Sequence, residues 1–180
     1  MGRSASHVAL ECALETQPNI CLIGEEVAAK KMSLAQITNY IADAVEKRGN
    51  NGNNFGVAII PEGIVEFVPE FSALIAEINE LLAGSKTEEF NALPDWNAKY
   101  DFIKSGLSKD AFAVFDILPQ FVQQQLFLER DPHGNVQVSL IESEKLFSEM
   151  VKAELAKRKA AGTAAAERTE EEYQILQMHL

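Results

Sequence analysis

Three short segments carry side chains suited to holding a charged or hydroxylated ligand. Met1-Gly2-Arg3 sets an arginine beside a glycine, just ahead of an amphipathic stretch. A guanidinium close to the free amides and positive dipole end of a helix N-terminus suits a phosphate or a sugar oxygen. Alone, the tripeptide carries little specificity. Pro61-Glu62-Gly63 follows an apolar run. A carboxylate just beyond a parallel strand accepts sugar hydroxyls; spacing alone favours the plainer role of capping a strand-to-helix turn. Gly24-Glu25-Glu26 closes another apolar run. Its two adjacent carboxylates point in different directions, which favours capped or solvated side chains over a shared metal ion.

The other reactive side chains point away from catalysis. His7 has Glu11 one turn on, a spacing for a local hydrogen bond. His133 belongs to a turn and His179 to the tail. No Ser-His-Asp order, Gly-rich phosphate loop or paired-Asp motif occurs, and Glu167 to Glu172 reads as a solvated helix face. Cys12 falls on a helix face and Cys21 in a strand, with no ligand-type neighbours for a metal, so both read as reduced, buried, structural thiols. A net charge of −11 argues against nucleic acid, whose phosphates need clustered Lys and Arg. No apolar run approaches the roughly 18 residues of a membrane helix, and no signal peptide opens the chain. The expectation is a cytoplasmic protein with no membrane partner.

The elements that must position these residues alternate in type. Val8, Ala9, Cys12 and Ala13 recur at helical spacing until Pro18. Ile20 to Ile23 reads as a buried strand ending at Gly24. Ser33 offers an N-cap with Gln36 as its capping-box partner, and Leu34, Ile37, Ile41, Ala44 and Val45 share the face that follows. Residues 49–54, Gly-Asn-Asn-Gly-Asn-Asn, read as a loop, and Phe55 to Ile60 as a second buried strand. Phe71, Leu74, Ile75, Ile78, Leu81 and Leu82 give a third helix, closed by Gly84.

Residues 1–84 therefore read as α/β, with helices over a parallel sheet whose strands are apolar on both faces. Residues 85–138 read as a helical insertion rich in aromatic side chains, with a helix boundary at Asp116-Ile117-Leu118-Pro119 and a turn at residues 131–135. Residues 139–162 read as the longest amphipathic helix, and 163–180 as a divergent tail.

Several strings carry a likeness beyond their pattern. Met-Gly-Arg-Ser-Ala-Ser-His-Val-Ala-Leu-Glu-Cys-Ala-Leu at 1–14 and Gln-Pro-Asn-Ile at 17–20 are two of them. Ile-Gly-Glu-Glu-Val-Ala-Ala at 23–29, Gly-Val-Ala-Ile-Ile-Pro-Glu-Gly at 56–63 and Ile-Glu-Ser-Glu-Lys-Leu at 141–146 are the others. In this order they resemble pyrophosphate-dependent phosphofructokinases, the plant-type enzyme and its beta subunit above all. That subunit also has a helical insertion with Leu-Pro-x-Phe, as at 118–121.

The resemblance spans about residues 1–163 and implies a phosphofructokinase-like α/β fold. It implies that Met1, Gly2, Arg3 and Glu62 line a fructose 6-phosphate pocket. It also implies reversible transfer of a phosphoryl group from pyrophosphate to the sugar's 1-hydroxyl, with Mg²⁺, in glycolysis and within a homo- or hetero-oligomer.

The departures shape the expectation for this chain. The family carries, ahead of Met-Gly-Arg, a Gly-Gly-Asp loop for the donor and metal and a Thr-(Ile/Val)-Asp-x-Asp segment with the general base. Neither occurs in these 180 residues, so pyrophosphate and Mg²⁺ would be held by segments outside them. After Gly162-Thr163 the family's aromatic-Gly-Tyr-x-x-Arg segment is replaced by Ala164-Ala165-Ala166-Glu167. The expectation is an internal, catalytically inactive piece of a phosphotransferase. Its rival is an inactive chain acting as a binding or regulatory partner of a full-length subunit. An unrelated α/β sugar-binding module ranks behind both.

Overall fold

The computed structural model describes residues 6–83, 86–128 and 135–162. Met1, Gly2, Arg3, Gly84, the turn at 131–134 with His133, and the tail from 163 with His179 lie outside the described residues. The chain divides into two compact units, one built from the residues up to Val68 and from Glu142 onward, the other from Pro69 to Ile141.

In the first unit, α1 (His7–Thr16) stops where the Pro18 pattern requires, with Gln17 turning into the left-handed region at φ 49°. β1 (Ile20–Cys21) leads into α2 (Gly24–Lys30) and α3 (Leu34–Asn50), and β2 (Ala58–Ile59) follows. The two strands pair in parallel, Ile20 opposite Ala58 and Cys21 opposite Ile59. A parallel pair needs a long crossover rather than a hairpin, and α2 with α3 supplies it. Ser33 and Gln36 form the expected capping box: Ser33 Oγ accepts the Gln36 N–H at 3.1 Å and Gln36 Oε1 accepts the Ser33 N–H at 2.9 Å.

Two expectations need correction here. The chain is mostly helical, and the sheet is smaller than the apolar runs suggested, two residues per strand. Ile20 and Leu22 are buried as expected, but Phe55 is 77% and Val57 53% exposed. Among the described residues the sheet has no third strand beside β2, and the Phe55 ring meets the Arg48 guanidinium, 5.6 Å from its centroid, instead. Residues 49 and 50, assigned to a loop, form the last turn of α3, and Gly24 to Glu26 open α2.

The core of this unit lies between α3 and α9 (Ser143–Ala160). Leu34, Ile37, Ile41 and Ala42 are buried on α3, and Leu146, Phe147, Val151 and Leu155 on α9. Arg158 pins the two helices at their far end, donating to Asp43 and Glu46 on α3 at 2.7 and 2.9 Å and to Glu154 at 2.9 Å. The long helix starts later than its pattern: residues 138–140 form a 3-10 turn, Leu140 is exposed, and α9 begins at Ser143.

The second unit is helical: α4 (Pro69–Leu81), where the third helix was expected, then α5 (Lys86–Asn91), α6 (Trp96–Gly106), α7 (Lys109–Asp116) and α8 (Gln120–Leu128) within the run read as helical. The expected boundary at Asp116 to Pro119 separates α7 from α8. Asp95 and Ser108 cap α6 and α7, accepting the N–H of Ala98 at 2.8 Å and of Ala111 at 3.2 Å. Phe127 stacks against Phe90 and Phe115 at 5.4 and 5.5 Å between ring centroids, so the aromatic-rich sequence is spent on a core.

Candidate functional site

Parallel pairing sends both strands' carboxyl ends to one side, where ligands of open α/β sheets bind. Gly24 comes three residues after Cys21 and Glu62 three after its paired residue Ile59. Both junctions therefore leave the same end of the sheet. Gly24 opens α2, and a Cβ there would fall 2.4 Å from Cδ2 of Phe67. Only a glycine lets the Phe67 ring lie on the start of α2, which packs α2 against the 3-10 helix Ile64–Phe67 that follows Glu62.

The N-terminal segment is tied to this end by Ser6. It stands at the N-cap position of α1, yet its hydroxyl does not cap that helix. Ser6 Oγ instead accepts the Gly24 N–H at 2.7 Å, and the Ser6 N–H donates to Glu25 Oε1 at 3.0 Å. The residue before Gly24 is Ile23, whose side chain cannot cap; the serine of another helix fills that role for α2. The Ser6 N–H first, then the backbone N–H of Glu25 itself and the Ser6 hydroxyl, lower the Glu25 carboxyl pKa. Glu26 turns away to pair with Lys30 at 2.5 Å. The two carboxylates thus diverge, and Glu25 is a tether.

Glu62 stands on the turn after β2, exposed between buried Pro61 and buried Gly63. The Pro61 and Gly63 carbonyls accept the N–H groups of Ile64 and Glu66, both at 3.1 Å. The Glu62 carbonyl accepts from Ser143 Oγ at 2.5 Å. The sequence reading found Glu62 but missed Ser6 and Ser143. Ser6 carried the signal of an N-cap, which pointed to the wrong helix, and Ser143 carried only its place in a family-like string.

Met1, Gly2 and Arg3 lie outside the described residues, so no geometry joins them to Glu62. Ser6 follows Arg3 by three residues, a span of at most about 11 Å. Among the described residues no group of three or more His, Cys, Asp or Glu is arranged to hold a metal ion. Cys12 and Cys21 are free but half-buried rather than buried, because α1 lies on β1 at the unit's surface and buries none of its own residues fully. Burial, and then the Cys12 thiol nearby, push the Cys21 thiol up, away from reactivity. At this end of the sheet the described residues supply a hydrogen-bonded turn with an exposed Glu62 at its middle.

No protein-family model matches the chain. Known proteins do. Pyrophosphate–fructose 6-phosphate 1-phosphotransferase subunit beta 1 of Arabidopsis thaliana is 52% identical over 162 residues, 90% of this chain and 27% of that protein. The protein of that name from Entamoeba histolytica is 54% identical over 158 residues, 88% of the chain and 29% of its own length. The alpha subunit from Solanum tuberosum is 43% identical over 163 residues, 91% of the chain and 24% of the subunit. The chain spans about a quarter of the length of the curated relatives it matches. With identity near one half across nine-tenths of its residues, this chain is similar to one stretch of the pyrophosphate–fructose 6-phosphate 1-phosphotransferases.

Proposed function

We propose that this chain forms part of the fructose 6-phosphate side of a phosphotransferase that reversibly moves a phosphoryl group from pyrophosphate to the sugar, giving fructose 1,6-bisphosphate. The observation that carries the proposal is the near-half identity to enzymes of that name, joined to an exposed carboxylate on the Pro61-Glu62-Gly63 turn beyond a parallel strand. In this reading Arg3, with Met1 and Gly2, meets the phosphate, and Glu62 accepts the sugar hydroxyls. The fold is the α/β phosphofructokinase-like one. Residues 1–84 belong to the sugar-phosphate-binding domain, 85–138 are an insertion, 139–162 a long helix and 163–180 a divergent tail. The setting is the cytosol and glycolysis.

Phosphoryl transfer needs a base for the attacking hydroxyl and cations for the developing charge. Mg²⁺ would supply the latter. The described residues offer no donor set that fits it. Relatives named as alpha and as beta subunits both match most of the chain, which supports a homo- or hetero-oligomer. A second reading is a non-catalytic partner of a full-length subunit.

Calorimetric titration of the 180-residue chain with fructose 6-phosphate tests the proposal. Binding is expected, weakened roughly 10- to 100-fold in R3A and in E62Q, the worth of one charged hydrogen-bonding group. Absence of binding, or unchanged affinity in both variants, overturns it. Uptake of a full-length subunit with no sugar binding favours the second reading.

A further inference from the structure

Ile141-Glu142-Ser143-Glu144-Lys145-Leu146 marks the family likeness, yet the binding proposal gives it no task. Its contact with the Pro61-Glu62-Gly63 turn supplies one. Two of the turn's three carbonyls are satisfied within the turn and its 3-10 helix. The third, that of Glu62, accepts from Ser143 Oγ, which comes from a helix 81 residues further along the chain. Ser143 is 0% exposed, so its hydroxyl is sheltered from water on the donor side of the bond. Leu146 and Phe147, on the next turn of α9, are buried in the core and keep the donor from moving independently.

The turn's flanks are buried and its middle residue is exposed. The carbonyl and the side chain of Glu62 share one Cα, so fixing the direction of the first restricts the arc open to the second. A carboxylate held this way loses less freedom when it meets a ligand.

We propose that Ser143 is a positioning residue of the sugar-phosphate site: its buried hydroxyl orients the Glu62 backbone and so presents the Glu62 carboxylate to the sugar hydroxyls. This rests on the assignment of Glu62 to the sugar. A merely structural serine would tie α9 to the turn without regard to what Glu62 does, and the two roles differ in their coupling.

The experiment is a double-mutant cycle on the 180-residue chain. Calorimetry with fructose 6-phosphate, and separately with inorganic phosphate, is run on the unmodified chain, S143A, E62Q and S143A/E62Q. S143A is expected to weaken fructose 6-phosphate roughly two- to tenfold, the worth of one hydrogen bond, and to leave inorganic phosphate unchanged. In the E62Q background the serine substitution should cost nothing further. Unchanged affinity in S143A, an equal loss in both backgrounds, or an equal loss for both ligands overturns the inference. Unchanged affinity in E62Q, or no uptake of fructose 6-phosphate by the unmodified chain, instead removes the site assignment and the inference with it. Should S143A lose its helical circular dichroism, S143C, nearly isosteric with a weak donor, is read by the same criteria.

Discussion

Glu25 illustrates how one residue can be misjudged by type alone. Two adjacent glutamates after a strand invite a metal, but Glu25 is occupied by the Ser6 N–H, the main cause of its lowered carboxyl pKa. The sign of the consequence is fixed. A carboxyl held lower in the folded state than in the unfolded one stabilises the fold fully above the unfolded value, and loses that contribution as pH falls through the folded one. The unmodified chain should therefore be more stable than E25Q at neutral pH, with the gap closing only below the ordinary glutamate range. Urea midpoints of both chains at stepped pH measure this. A gap that stays constant down through the acid range would show that the Glu25 charge has no part in the tether.

At the scale of elements, the α3–α9 pair is held by an apolar seam and by one cation. Arg158, with its side chain 17% exposed, meets Asp43, Glu46, Glu154 and the Asn39 Oδ1. A guanidinium suits this because its planar fork reaches several acceptors at once, which an ammonium does not. Removing it in R158A leaves three carboxylates close together without their shared cation. The expected cost is about 1–3 kcal/mol, read as a lower urea midpoint with an unchanged slope. R158K should recover only part of it. Equal stability of R158A and the unmodified chain would assign the pairing of α3 and α9 to the apolar seam alone.

At the scale of the molecule, the question is what a chain covering about a quarter of its relatives does by itself. A polypeptide of these 180 residues holds neither a Gly-Gly-Asp loop nor a Thr-x-Asp-x-Asp segment. Loss of a general base alone costs about 10²–10⁴-fold in rate, and loss of donor positioning adds to it. The expected outcome is no phosphotransfer from pyrophosphate above background in a coupled assay free of contaminating kinase. The two-stranded sheet and the exposed Phe55, Val57, Leu10 and Leu14 also leave apolar surface and strand edges uncovered among the described residues. Such surface favours association with a further chain over a stable monomer.

Much was legible in the sequence because it is set within a few residues. The Pro18 stop, the Ser33–Gln36 capping box, the Asp116 to Pro119 boundary and the helical run after residue 86 each follow from local sterics or one turn of hydrogen bonding. The two strands and the crossover between them were legible as well, since two buried apolar runs joined through helices supply the long crossover that parallel pairing needs. How far those strands extend was not, because a strand ends where its neighbours end, and Phe55 looks the same in sequence whether or not something covers it. The same limit hid the two serines. Ser6 reaches across 18 residues to Gly24, and Ser143 across 81 to Glu62. A hydroxyl has no period and no spacing to betray a distant partner, so only the tertiary structure decided which backbone groups these two would hold.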